Sequence, residues 1–154
     1  MTLSDFVARN AILPALKVNN KKQVLQELAA RAAALTGQNE RAILEILLQR
    51  EKLGSTGFGG GVAIPHGKLD GLDHVVGVFA RLEAPIEFGA IDEMPVDLVF
   101  LLLSPSDAGV DHLKALASVS RQLRDRGFIA KLRGAGSEDA LYALLVGSET
   151  RDAA

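Results

Sequence analysis

The chain has 154 residues, 48% hydrophobic and 23% charged, enough to bury one sizeable core and too few for two domains of ordinary size. Its 17 basic and 19 acidic residues leave a formal charge of -2, so no strong field draws it to nucleic acid or to an anionic membrane. The absence of cysteine excludes disulfides, thiolate catalysis and cysteine-type zinc sites.

No window approaches the roughly 18 apolar residues of a membrane span. Met1-Thr-Leu-Ser-Asp-Phe6 lacks the basic-then-apolar pattern of an export signal. A cytoplasmic protein with no membrane insertion is expected.

After a short opening helix, Ala11-Ile-Leu-Pro-Ala-Leu-Lys-Val18 reads as an edge strand, because its proline would be out of place in a central one. Asn19 or Asn20 caps a helix through about Leu35, with Val24, Leu25, Leu28, Ala29 and Ala32 on one face and Gly37 as its stop. Asn39 caps a second helix to about Leu53, whose buried stripe runs Ile43, Ile46, Leu47 and next reaches Arg50. Then comes a glycine-rich stretch, residues 54–67, a flexible or tightly turned backbone leading to the apolar Val62-Ala-Ile64 and ending in Pro65-His-Gly67; its simplest reading is a surface loop with an incidental histidine.

Segments 75–82 and 96–103 read as strands, the second apolar enough to be covered on both faces. Pro85–Phe88 is a candidate short strand between them. Three helices follow, at Val110 to about Arg124, Phe128 to about Arg133, and Ser137 to Val146 with Ser137 as cap. Residues 148–154 lack apolar periodicity and are expected to fray. Interleaved helices and strands predict an α/β fold. The expectation is a single three-layer α/β/α domain over 1–154, its sheet mixed parallel and antiparallel because the two central strands are closely spaced.

The stretch Gly54-Ser-Thr-Gly-Phe-Gly-Gly-Gly-Val-Ala-Ile-Pro-His-Gly67 places six of the fifteen glycines around His66. It is no Walker A loop, since Gly67-Lys68 is followed by Leu69 and Val62 stands where the first glycine belongs. The dinucleotide fingerprint fails at Val62 too. What remains is backbone able to approach another molecule closely and to expose amide donors.

Arg50 sits on the inward stripe of its helix, where a guanidinium is rare unless paired or aimed into a cleft; the alternative is a side chain that snorkels out at the helix end. His112 lies in the first turn of its helix, after the loop leaving the central strand, where α/β folds gather ligand sites. A helix amino end lowers a histidine's proton affinity, so a neutral His112 can donate to an anion. His74 is most simply a solvated turn residue. A metal-dependent hydrolase using His66, His74 and His112 is a remote alternative, because these histidines lack any short ligand motif.

The run Arg50-Glu-Lys-Leu-Gly-Ser-Thr-Gly-Phe-Gly-Gly-Gly-Val-Ala-Ile-Pro-His-Gly-Lys68 resembles the active-site segment of the fructose/mannitol-type enzyme IIA domains of the bacterial phosphoenolpyruvate phosphotransferase system. Pro95 to Leu103 and Asp111-His-Leu113 match as well, so the resemblance spans nearly the whole chain. Glu51-Lys-Leu-Gly-Ser-Thr-Gly57 and Pro65-His-Gly-Lys-Leu69 are most similar to the nitrogen-regulatory branch; a sugar-specific member passing phosphate to a IIB domain is the alternative.

The resemblance implies that His66 carries a phosphoryl group, with His112 and Arg50 in supporting positions. It also implies an HPr-like nitrogen-branch phosphocarrier as donor, and regulated targets such as potassium-transport or sensor-kinase components. Such chemistry is a nucleophilic attack by neutral imidazole, stabilised by donors around the equatorial oxygens. Ser55, Thr56 and the amides of Gly59, Gly60 and Gly67 are further candidates for that role. With histidines as both donor and acceptor, no metal or other cofactor is called for, and Nε2 is the expected phosphorylated atom.

Overall fold

Strand β6 (Val96–Pro105) runs through the middle of a six-stranded sheet. The structure is a computed structural model describing the backbone of residues 1–153 and the side chains of residues 1–147. The tail expected to fray, 148–154, lies outside the residues described at side-chain level.

On one side of β6 lies β5 (Val76–Ile86), antiparallel, and beyond it β1 (Val7–Leu16), parallel to β5 and forming the sheet edge. Pro14 is thus in an edge strand, as its missing N–H requires. On the other side β3 (Val62–Ala63) and β4 (His66–Leu69) both pair with β6 in parallel, while β2 (Gly57–Gly59) is antiparallel to β3. The mixed sheet is as the sequence predicts.

Helices α1 (Lys21–Thr36) and α2 (Glu40–Lys52) cover one face; α3 (Val110–Arg124), α4 (Arg126–Gly134) and α5 (Glu138–Ala153) cover the other. This is the expected three-layer α/β/α arrangement. The side chain of Asn20 accepts from the Gln23 amide, and that of Asn39 from Ala42. Gly37 closes α1 in the left-handed region at φ 74. The five α1 residues read from periodicity are all buried.

Two expectations need correction. Pro85–Phe88 is not a separate strand: β5 continues to Ile86 across a register shift, from Arg81 opposite Leu98 to Ile86 opposite Val96. Nor is the glycine-rich stretch a surface loop. Val62 pairs with Leu98 and His66 with Leu102 in one constant register, with the pairing interrupted only at Ile64–Pro65, so the segment lies in the sheet alongside β6 and ends at Leu69 opposite Pro105. The glycines at 60 and 61, with φ 68 and 81, turn the β2–β3 hairpin. Alternation hid the strand, since glycines replace the side chains that would have shown it.

The alternation also fixes which way His66 faces. Ala63 and Leu69 join the core under α1 and α2, whereas Val62 and Ile64 join the core under α3 to α5. His66 follows Ile64 by two residues and so shares its face. Gly67 faces α2, where a Cβ would collide with Cγ2 of Ile46.

Candidate active site

His66 opens β4, at the point where the chain resumes its pairing with β6 after Pro65. Its Nδ1 lies 2.7 Å from the carbonyl oxygen of Ile64. A carbonyl only accepts, so Nδ1 carries the proton. The Nε of Arg50 donates toward His66 Nε2 at 3.4 Å, which requires a lone pair there. The two contacts specify one tautomer, with Nε2 as the nucleophilic atom. Burial is the main cause that depresses the His66 pKa; the Arg50 charge depresses it further, while the Ile64 carbonyl and the Glu51 charge partly oppose this. The ring is therefore neutral at pH 7.

Arg50 comes from the last turn of α2 and is half-buried. Its Nη1 donates to the Gly54 carbonyl at 2.8 Å, which ties the helix end to the glycine-rich segment and aims the guanidinium at His66. The inward stripe of α2 thus ends in a cation directed into a cleft.

His112 reaches the same place from the opposite layer. The two imidazole centroids are 5.9 Å apart. The His112 Nδ1 shares a 2.7 Å hydrogen bond with the hydroxyl of Ser104, a fully buried residue of β6. Its pKa is lowered by burial first, then by the nearby His66 and Lys68. His112 is neutral as the sequence leads one to expect, though burial rather than the helix end is the leading cause.

A cavity of about 210 Å³ opens beside His66, lined by Arg50, Ser55, Thr56, Phe58, Leu116 and Ser120 among others. A larger groove of about 900 Å³, between α2 and the end of β4, includes neither His66 nor Arg50 nor His112. Chemistry rather than volume marks the smaller one. It holds the Nε2 of His66 with the Arg50 guanidinium directed at it.

The remaining sequence candidates divide. Ser55 and Thr56 line the cavity, but the Ser55 hydroxyl donates to the Phe88 carbonyl at 3.0 Å and the Thr56 hydroxyl donates to Glu51. The Gly60 amide donates to Asp92 at 3.1 Å and its carbonyl accepts from Arg133, so the Gly59–Gly60 turn serves the far end of the hairpin. Gly67 answers to packing against Ile46. His74 is exposed beside Asp73 and lines a different cavity. Among the described residues no group of three or more His, Cys, Asp or Glu is placed to hold a metal ion.

Sequence reasoning missed Ser104, Glu51, Leu116 and Ser120. The last two carried a usable signal, since 112, 116 and 120 follow the four-residue spacing of one helix face. Ser104 had none, because its role depends on which strand lies under α3.

Comparison with known proteins identifies the family. Residues 5–147 match the family described as phosphoenolpyruvate-dependent sugar phosphotransferase system, EIIA 2. A nitrogen regulatory protein of Bradyrhizobium diazoefficiens is 63% identical over 145 residues, covering 94% of this chain and 95% of the relative. One from Escherichia coli is 40% identical over 150 residues, covering 97% and 92%. The crystal structure of nitrogen regulatory protein IIA-Ntr from Neisseria meningitidis superposes with a TM-score of 0.88 at 32% identity, covering 93% of this chain and 98% of that one.

Proposed function

Because the chain belongs to the EIIA 2 family of the phosphoenolpyruvate-dependent sugar phosphotransferase system, we propose that it is the phosphoryl carrier of a nitrogen-regulatory branch, with His66 as the residue phosphorylated. The observation that carries the site assignment is the His66 tautomer. Nδ1 is held by the Ile64 carbonyl, Nε2 keeps its lone pair toward Arg50, and the His112 ring lies 5.9 Å from that of His66.

In the transfer, the Nε2 lone pair attacks the phosphorus of a phosphohistidine on the donor protein. The new Nε2–P bond forms as the donor's N–P bond breaks, and the electron pair leaves with the donor imidazole. His66 keeps its Nδ1 proton throughout. Arg50 must yield the lone pair before attack; its contact of 3.4 Å is weak, and the guanidinium is then placed to hold phosphoryl oxygens. His112, with Nδ1 engaged by Ser104, offers Nε2 as a second donor to those oxygens. Both helical layers supply one group each.

The donor is an HPr-like phosphocarrier and the setting is the cytoplasm. A protein-sized donor needs a docking face, and exposed apolar residues flank the site in sequence: Val110 and Leu113 are 62% and 65% exposed on either side of His112, and Leu53 is 86% exposed next to Gly54. No helix among the described residues is long and apolar enough to cross a membrane. Regulated targets, such as potassium-transport or sensor-kinase components, respond to the phosphorylation state.

Mass spectrometry after incubation with phosphoenolpyruvate and the general and nitrogen-branch phosphocarriers tests this. One acid-labile, alkali-stable phosphoryl group is expected on His66, and His66→Ala removes it. A label on His112 or on a serine overturns the site assignment. Faster labelling through a sugar-branch carrier, with onward transfer to a IIB domain, overturns the regulatory branch.

A further inference from the structure

Close to His66 lies a partly buried ion pair that the transfer step leaves unused. Glu51, in the last turn of α2, has a side chain only 6% exposed, and its Oε2 accepts from Lys21 Nζ at 2.7 Å. Lys21, in the first turn of α1, also sits over the ring of Phe88 at 4.5 Å from its centroid. The same carboxylate accepts from the backbone amide of Thr56 at 3.1 Å and from the Thr56 hydroxyl.

The connections continue to the nucleophile. The Thr56 carbonyl accepts from the Ile64 amide at 3.1 Å, and the Ile64 carbonyl accepts the Nδ1 proton of His66 at 2.7 Å. An unbroken path runs from Lys21 through Glu51, Thr56 and Ile64 to the imidazole. A carboxylate that orients a histidine's Nδ1–H directly is a familiar arrangement. Here two stretches of backbone stand between them.

We propose that Glu51 is a positioning residue for phosphoryl transfer: with Lys21 as counterion it holds the Thr56 and Ile64 backbone that fixes the His66 tautomer, and its negative charge favours the ring after attack. That charge matters because phosphorylation at Nε2 with Nδ1–H retained leaves the imidazole formally positive. The inference rests on His66 being the carrier. The charged and titratable groups bearing on His66 are Arg50 and Glu51 from α2 and His112 from α3; Lys21 acts behind Glu51, and Lys68 of β4 bears on His112. Of these only Glu51 is negative.

If Glu51 merely ties α2 to the hairpin, any break in the pair loosens the site in the same way. If its charge acts on His66, removing either member moves His66 in opposite directions. Glu51→Gln should lower the His66 titration midpoint by about half a pH unit or more, the order expected for one nearby charge, and Lys21→Gln should raise it. Phosphorylation equilibria should follow, falling about three- to tenfold for Glu51→Gln and rising for Lys21→Gln.

The experiment uses the full chain with ring-15N histidine. The midpoint and tautomer of His66 are read by NMR, and the phosphorylated fraction is read with phosphoramidate as a small donor, the label mapped in the wild type. A wild-type label away from His66 defeats the carrier assignment itself. A label on His66 with both variants shifting its midpoint the same way, or with neither shifting it, overturns the role of Glu51. Should Glu51→Gln not fold, Lys21→Gln alone decides, and a midpoint unchanged or lowered overturns the proposal.

Discussion

Gly67→Ala separates packing from chemistry at the residue beside His66, the proposed nucleophile. Gly67 is absent from the residues with positive φ, so alanine meets no backbone strain. The obstacle is Cγ2 of Ile46, into which an added Cβ would run. Overpacking of this kind costs about 1–3 kcal/mol, and loss of unfolded-state freedom returns about 0.4–1 kcal/mol. The net destabilisation should be about 0.5–2 kcal/mol, a melting temperature lower by roughly 2–6 °C for a chain of this size. Because β4 has to move away from α2, His66 moves with it, and transfer should slow by about tenfold. Ile46→Leu removes the offending Cγ2 methyl while keeping the volume, so the double variant should recover most of both losses; a double-mutant cycle of melts and timed phosphorylation reads the coupling. Gly67→Ala with wild-type stability and slow transfer would refute the packing argument.

Arg50→Lys keeps a charge but cannot bond Gly54 and address His66 together, so transfer should slow roughly ten- to a hundredfold with folding retained; an early melt with normal transfer would make Arg50 structural. His112→Ala should still accept phosphate, roughly ten- to a hundredfold more slowly, and His112→Gln should recover part of the loss; timed labelling that finds the alanine variant as fast as wild type places His112 outside the reaction. In a pH profile, transfer should fall on the acid side through a midpoint below the ordinary value of 6.5, because the neutral ring reacts and burial lowers the folded-state pKa of His66; a midpoint above 6.5 would contradict this. For both His66 and His112 the unfolded chain takes up protons first, so their contribution to stability is full above 6.5 and is lost as pH drops through the lowered values; a decline in melting temperature starting above pH 7 would contradict this.

Helices declared themselves in the sequence because their signals are local. Asn20 and Asn39 cap, Gly37 stops, and apolar residues recur at turn spacing; each depends on neighbours within one or two turns. The strand carrying His66 gave no such signal. Glycines at 59, 60, 61 and 67 and Pro65 argue for a loop by composition, and only pairing with β6, thirty-odd residues away in sequence, makes the segment a strand. Among site residues the same division holds. Arg50 and His112 stood out because a cation on an inward stripe and a histidine opening a helix are anomalies visible in place. Ser104 and Glu51 act through partners that sequence distance conceals.

Placement of His66 on this strand explains how groups from both layers reach it. A side chain in the middle of a covered sheet faces one helical layer, since the backbone separates the two. β4 instead pairs with β6 along one side only, and it begins just after the Ile64–Pro65 interruption. There the end of α2, from one layer, delivers Arg50 to the ring of His66, while the start of α3, from the other, delivers His112. Two donors from opposite sides can surround a trigonal phosphoryl group in a way that two donors from one helix cannot. The same opening at the strand gives a second protein's phosphohistidine a line of approach to Nε2. An unpaired strand edge, ordinarily a liability for aggregation, becomes usable here because it is short, interrupted by proline and glycine, and flanked by cationic side chains at Arg50 and Lys68.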